Sequence, residues 1–155
     1  MNHKLKTLAT AAVGALALVV MSVTPSQAAT AHIYKNRHTG LCLAGKDRTV
    51  SQYDCSLAGT STPRTGWTTS VVDPRYGFAL IRHEATGLCL DTNGSSVYLS
   101  GCSAQDLGQV WMFGSDGAIS PVAFGTQLTG WNDGGVSMRA AGDVDVINKQ
   151  KWDAI

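Results

Sequence analysis

The chain has 155 residues, 44% of them hydrophobic, and a formal net charge of +1. Its 12 basic and 11 acidic residues form neither a basic stripe nor an acidic tail, which argues against a nucleic-acid partner recruited by charge. The length suits one domain with a real core.

At the N-terminus Lys4 and Lys6 make a basic start, residues 8–23 are apolar and small, and Ser26-Gln27-Ala28 has the look of a cleavage site. This is the layout of a secretory signal peptide, expected to span residues 1–28 and to leave residues 29–155 as a secreted, extracellular domain. The apolar run is short for a bilayer and no second one follows, so no membrane span is expected. Without Lys4 and Lys6 the basic residues fall to ten against 11 acidic ones, a balance close to neutral.

Beyond the leader the chain repeats itself. Thr39-Gly40-Leu41-Cys42-Leu43, then Val50 and Cys55, recur as Thr86-Gly87-Leu88-Cys89-Leu90, then Val97 and Cys102. Each segment then reaches a tryptophan, Trp67 or Trp111. A weaker third copy starts near Ala118: Gly125-Thr126-Gln127-Leu128 stands for Gly-Leu-Cys-Leu, Val136-Ser137-Met138 for Val97-Tyr98-Leu99, and Ala141 for the second cysteine. It closes on Gln150-Lys151-Trp152. Repeats of about 32–76, 77–116 and 117–155 are therefore expected, because one such unit cannot bury its apolar face alone and three around an axis can. Trp67, Trp111 and Trp152 read as core residues that staple each copy.

Secretion makes the four cysteines candidates for pairing, and three connectivities are possible. Equal spacing favours Cys42–Cys55 and Cys89–Cys102, each closing a loop of about 14 residues and contributing roughly 3 kcal/mol. The third copy lacks both members of the pair, as a paired position requires.

The second copy, residues 87–111, carries the most chemistry. Leu88-Cys89-Leu90-Asp91 and Val97-Tyr98-Leu99 alternate as short strands around a turn at Asn93-Gly94. A hairpin of this kind brings the Asp91 carboxylate near the Tyr98 ring. An acceptor beside an aromatic face suits a sugar, whose hydroxyls need hydrogen bonds and whose C–H face needs an apolar platform.

At these residues the chain resembles the ricin-type β-trefoil lectin family. The resemblance rests on Cys89-Leu90-Asp91, on the run from Val97 to Leu99 before Cys102, and on Gln-x-Trp at Gln109 to Trp111 and Gln150 to Trp152. It implies an all-β fold, a β-trefoil of three pseudo-symmetric four-strand repeats, and shallow sugar sites on the repeats. It also implies a non-catalytic lectin with a glycan or polysaccharide as partner. The family's sugar-accepting carboxylate falls on Asp91; the first copy has Ala44 there and the third Thr129, so one site is expected. Tyr98 and Leu90-Asp91-Thr92-Asn93 are similar to small mannose-binding members of the family. Ser100 stands where galactose binders carry a stacking aromatic, and Gly108 where a polar or aromatic residue is usual. The carbohydrate-binding set expected from the resemblance is Asp91, Asn93, Tyr98, Ser100 and Gln109. A protein-binding trefoil, as a protease inhibitor or a toxin-associated subunit, is the alternative.

Other chemistry is thin. His32, His38 and His83 lack metal-ligand spacing, and there is no nucleophile elbow, phosphate-cradling loop or Cys-x-x-Cys, so neither metal nor cofactor is expected. Glu84 and Asp91 read as the two carboxylates nearest the site; Glu84 is taken as a solvated loop charge rather than half of a glycosidase pair, and the protein as no enzyme. Asp143 and Asp145 alternate as exposed strand charges, with weak calcium binding the lesser reading. Trp131, in a Gly-rich loop, is either an exposed platform or packing over the open end of the third copy.

Overall fold

The computed structural model describes residues 31–55 and 65–155; the expected signal peptide lies outside the described residues. These residues form thirteen short strands: β1 (Ala31–His32), β2 (Tyr34–Asn36), β3 (Cys42–Lys46), β4 (Thr49–Tyr53), β5 (Trp67–Asp73), β6 (Phe78–His83), β7 (Cys89–Thr92), β8 (Val97–Ser100), β9 (Val110–Phe113), β10 (Ile119–Pro121), β11 (Thr126–Gly130), β12 (Val136–Ala140) and β13 (Trp152–Ala154). A 3-10 turn at Ile147–Gln150 precedes β13. Among the described residues no helix is long and apolar enough to cross a membrane.

Two kinds of strand divide the work. One set closes a ring: β1 pairs with β5, β5 with β6, β6 with β9, β9 with β10, and β13 with β2. The Ala118–Lys151 bridge joins the β10 and β13 sides. Where β1 and β2 are interrupted, Ile33 and Ile155 exchange backbone bonds of 3.2 and 2.9 Å. A closed ring leaves no long edge to pair with another chain. The other set makes three antiparallel hairpins, β3–β4, β7–β8 and β11–β12. The hairpins touch one another through Thr49–Tyr98, Ser96–Ser137 and a 2.7 Å bond from Gln52 N to Gly134 O.

Ring and hairpins share one core, built from Tyr34, Leu43, Trp67, Ile81, Leu90, Leu99, Trp111, Ile119, Leu128, Met138 and Trp152. Each stapling tryptophan does the same thing. Nε1 of Trp67, Trp111 and Trp152 donates to the carbonyl of Leu43, Leu90 and Leu128, in each case at 2.9 Å. A ring strand is thereby tied to the first strand of a hairpin, and a large apolar ring is buried without an orphaned N–H.

Both expected disulfides are present, Cys42–Cys55 and Cys89–Cys102. The Asn93-Gly94 turn is a four-residue loop, residues 93–96, rather than a two-residue one. Gly94 takes a positive φ of 90°, while Thr92 Oγ1 accepts from Gly94 N at 3.0 Å and donates to Ser96 O at 2.7 Å. Asp143 and Asp145 do not lie on a strand. Gly142, at φ 76°, turns the chain after β12, and Asp143 accepts the Asp145 N–H at 3.1 Å as an ordinary turn residue.

Candidate functional site

In the β7–β8 register Asp91 faces Tyr98 and Leu90 faces Leu99. Alternation sends the two leucines into the core and puts Asp91, Tyr98 and Ser100 together on the opposite face. Asp91 is recessed, with 4% of its surface exposed. Its Oδ2 accepts the Ser100 hydroxyl at 2.6 Å and Gln109 Nε2 at 3.3 Å. Gln109 Nε2 also reaches Ser100 Oγ at 2.7 Å and Gly101 O at 2.9 Å, and Gln109 Oε1 accepts Ser103 N at 2.9 Å. The buried carboxylate is thus bonded on one oxygen, and its orientation is set by a serine and a glutamine that are themselves held by backbone.

Gln109 is delivered to this place by the tight turn before it. Asp106 N bonds to Ser103 O, Gln109 N to Asp106 O, and Gly108 N to Asp106 Oδ1 at 3.0 Å. Gly108 has a steric reason to lack a side chain. A Cβ there would stand 2.4 Å from Thr92 O, 3.0 Å from Asp91 Oδ1 and 3.3 Å from Asp106 Oδ1. The glycine that the sequence presents as a lost contact is what lets the loop pass close beside Asp91.

The expected set is only partly assembled. Asp91, Ser100 and Gln109 form one bonded network, and Tyr98 stands across the strand pair from Asp91. Asn93 is committed to the turn, where its Oδ1 accepts Ser95 N and Ser96 N at 3.1 and 2.9 Å. Asp106 was missed, although Asp-x-Gly ahead of Gln-x-Trp is a turn signature that could have found it. It flanks Gly108 together with Asp91, and it replaces Glu84 as the second carboxylate of the site. Glu84 packs beside Gly66 and donates its backbone N–H to Gly66 O. The Tyr98 phenol is pushed above its ordinary range, first by burial and then by the negative charges of Asp91 and Asp106.

The other hairpins differ. Ala44 and Thr129 are buried where Asp91 would stand, and Thr129 Oγ1 turns back to Gln127 O at 3.0 Å. Trp131 is half-buried: its Nε1 donates to Ser137 Oγ at 2.8 Å, and cationic groups of Arg139 and Lys149 lie 5.3 and 4.9 Å from ring centroids. The ring is therefore neither a bare platform nor a simple core plug.

A different surface lies beside Tyr34. One concavity of about 280 Å³ is lined by Tyr34, Arg37, Phe113, Trp152 and Asp153 among others, and one of about 290 Å³ by His32, Tyr34, Thr69, Phe113 and Ala154. Arg37 spans the first, bonding Asp153 Oδ1 at 2.9 and 2.7 Å. This charged pair is exposed and satisfied, so these hollows lack the recessed acceptor that distinguishes Asp91.

Residues 29–152 match the family described as the ricin-type beta-trefoil lectin domain. No curated protein matches the chain. Among solved structures, SeviL bound to asialo-GM1 saccharide is similar with a TM-score of 0.61 and 15% identity, over 83% of this chain and 98% of that one. A non-toxic homologue of type II RIPs from Momordica charantia (bitter gourd), in complex with α-methyl-D-galactoside, is similar with a TM-score of 0.63 and 18% identity, over 82% of this chain and 48% of that one. The GlcNAcα1-4Gal-releasing endo-β-galactosidase of Clostridium perfringens is similar with a TM-score of 0.66 and 16% identity, over 81% of this chain and 32% of that one. This chain therefore spans only a part of the last two, and at these identities the likeness is one of fold.

Proposed function

Because the chain belongs to the ricin-type β-trefoil lectin domain family, we propose that it is a secreted, non-catalytic carbohydrate-binding protein with a sugar site on the β7–β8 hairpin. In this reading the domain is three four-strand repeats, and the two disulfides suit an oxidising compartment. The observation that carries the proposal is the Asp91–Ser100–Gln109 network: of the three positions matched to Asp91, this one alone holds a carboxylate, and the fold orients it.

The roles follow from the geometry. Ser100 and Gln109 occupy Oδ2 and leave Oδ1 to accept sugar hydroxyls, with the exposed Asp106 as a second acceptor on the rim. Tyr98 supplies a ring face and a phenolic hydroxyl. Asn93 holds the loop at the edge of the site. A recessed carboxylate on a shallow surface offers few hydrogen bonds against the cost of association, so a monosaccharide should bind weakly, on the order of 0.1–10 mM. Tighter capture then requires a multivalent glycan surface and several copies of the protein.

Titration with mannose, galactose and xylan tests this. Asp91→Ala should abolish binding of whichever neutral glycan the wild type takes. Because Asp91 is hydrogen-bonded and buried, that variant also loses roughly 1–3 kcal/mol of stability, so the nearly isosteric Asp91→Asn serves as the folded control. Equal binding by wild type and both variants would move the site elsewhere. A wild type that binds no glycan would put a protein-binding trefoil in its place.

A further inference from the structure

The third copy keeps the frame of the second but has cations where the second has an uncharged serine and glycine beside Asp91. Gln150 occupies the place of Gln109: its Nε2 donates to Ala140 O at 2.9 Å, as Gln109 Nε2 does to Gly101 O. Counting from these pairs, Ser100 corresponds to Arg139, and Gly108 to Lys149. Those are the residues that touch or crowd the Asp91 carboxylate in the second hairpin. At both places the third hairpin has a cation, and both cations converge on the Trp131 ring, at 5.3 and 4.9 Å.

Their supports are fixed independently of any charge partner. Trp131 is held by Nε1 on Ser137, by its backbone N–H on Gly135 O, and by Gln52 Nε2 of the first hairpin on its carbonyl at 2.9 Å. The Lys149 backbone donates to Val146 O at 2.8 Å and accepts Asn36 Nδ2 at 2.8 Å. The ion pairs of the described residues, Arg37–Asp153 and Lys151–Asp116, involve neither Arg139 nor Lys149. Next to Lys149, the fully buried Gln150 keeps an Oε1 with no partner among the described residues, whereas the matching Oε1 of Gln109 takes the Ser103 N–H. Two like charges held against one aromatic ring, neither in an ion pair among the described residues, make a place for an oxyanion.

We propose that the third hairpin is a second binding site, specific for the anionic group, carboxylate or sulfate, of an acidic sugar. Arg139 and Lys149 grip the oxyanion, and Trp131 holds the two cations in position and offers its edge to the sugar. The inference rests on the lectin reading of the shared frame, but its ligand and its residues are separate from those of Asp91, so either can fail alone.

The test uses the whole protein at low salt, followed by calorimetry and by tryptophan fluorescence. The probes are trigalacturonic acid, its methyl ester and a sulfated galacto-oligosaccharide. The acid should bind about tenfold or more tightly than the ester, and added salt should weaken it. Arg139→Gln and Lys149→Gln should each lose about tenfold of that affinity, while Arg139→Lys keeps part of it and Asp91→Asn leaves it unchanged. The sulfated probe decides which oxyanion is preferred. Equal binding of acid and ester, no binding of either anionic probe, or variants that bind like the wild type would overturn the proposal. Should a variant fail to fold, the acid–ester comparison on the wild type still decides it.

Discussion

The β7–β8 and β11–β12 hairpins are built to one plan and place different charged groups on it. Each is tied to the ring by a tryptophan N–H on a leucine carbonyl, and each has a glutamine whose amide bonds the backbone at the end of its second strand. The second hairpin fills that frame with an aspartate held by serine and glutamine; the third fills it with threonine, arginine and lysine. The second is also closed by a disulfide, whose positions in the third are Gln127 and Ala141. The comparison teaches that the core-facing residues of these strands, Leu90, Leu99, Leu128 and Met138, stay apolar while the opposite face carries different chemistry. Alternation along a strand lets one face change without the other.

Three measurements sharpen or break this comparison. The largest effect should come from the shared part. Trp111→Ala and Trp152→Ala should each cost about 3–5 kcal/mol in chemical denaturation, since each removes a fully packed ring. A loss below about 1 kcal/mol at either would place that ring outside the core and end the equivalence. Next, the glutamines should differ. Gln109→Ala strips partners from a buried carboxylate, a serine and two backbone groups and should cost about 2–3 kcal/mol. Gln150→Ala removes one backbone bond and should cost about 1 kcal/mol. Equal losses would mean that the Asp91 network adds nothing to the frame. The smallest effect is electrostatic. Tyr98 should ionise above the ordinary tyrosine range, and Asp91→Asn should bring it part of the way down, because burial, the larger cause, remains. A pH titration of the Tyr98 ring carbons by NMR would read this. An unchanged value in the variant would show that the Asp91 charge does not reach the phenol.

Much of the frame was legible in the sequence because it is written in short-range patterns. The spacing of 13 between cysteines, the alternation around Asp91 and the recurrent tryptophans each report local geometry. What escaped depends on closure in three dimensions. Gly108 read as a missing side chain, yet its neighbour in space is Thr92 O, which no local pattern reveals. Ser100 read as a departure from a stacking position, and its hydroxyl instead holds Asp91. Gly-Asp-Val-Asp-Val has the period of a strand, but Gly142 at positive φ makes it a turn. The convergence of Arg139 and Lys149 on Trp131 was hidden most deeply. It needs a 3-10 turn and a loop clamped by Gln52, 79 residues away in the chain.

The backbone exchange between Ile33 and Ile155 has a consequence of its own. It makes the seam of the ring chemically like any other place where neighbouring strands meet, held by paired N–H and C=O groups rather than by a special closure. The domain can then be treated as a loop of chain with a movable opening. Joining the two ends by a short linker and cutting instead at an exposed turn such as residues 74–77, between β5 and β6, would keep the ring pairings and all three hairpins. Anything attached at either end of the described chain leaves from this one seam, formed by β1, β2 and β13 rather than by a hairpin. Domains strung in tandem could thus be joined through their seams without threading a linker across the surfaces proposed to meet glycans.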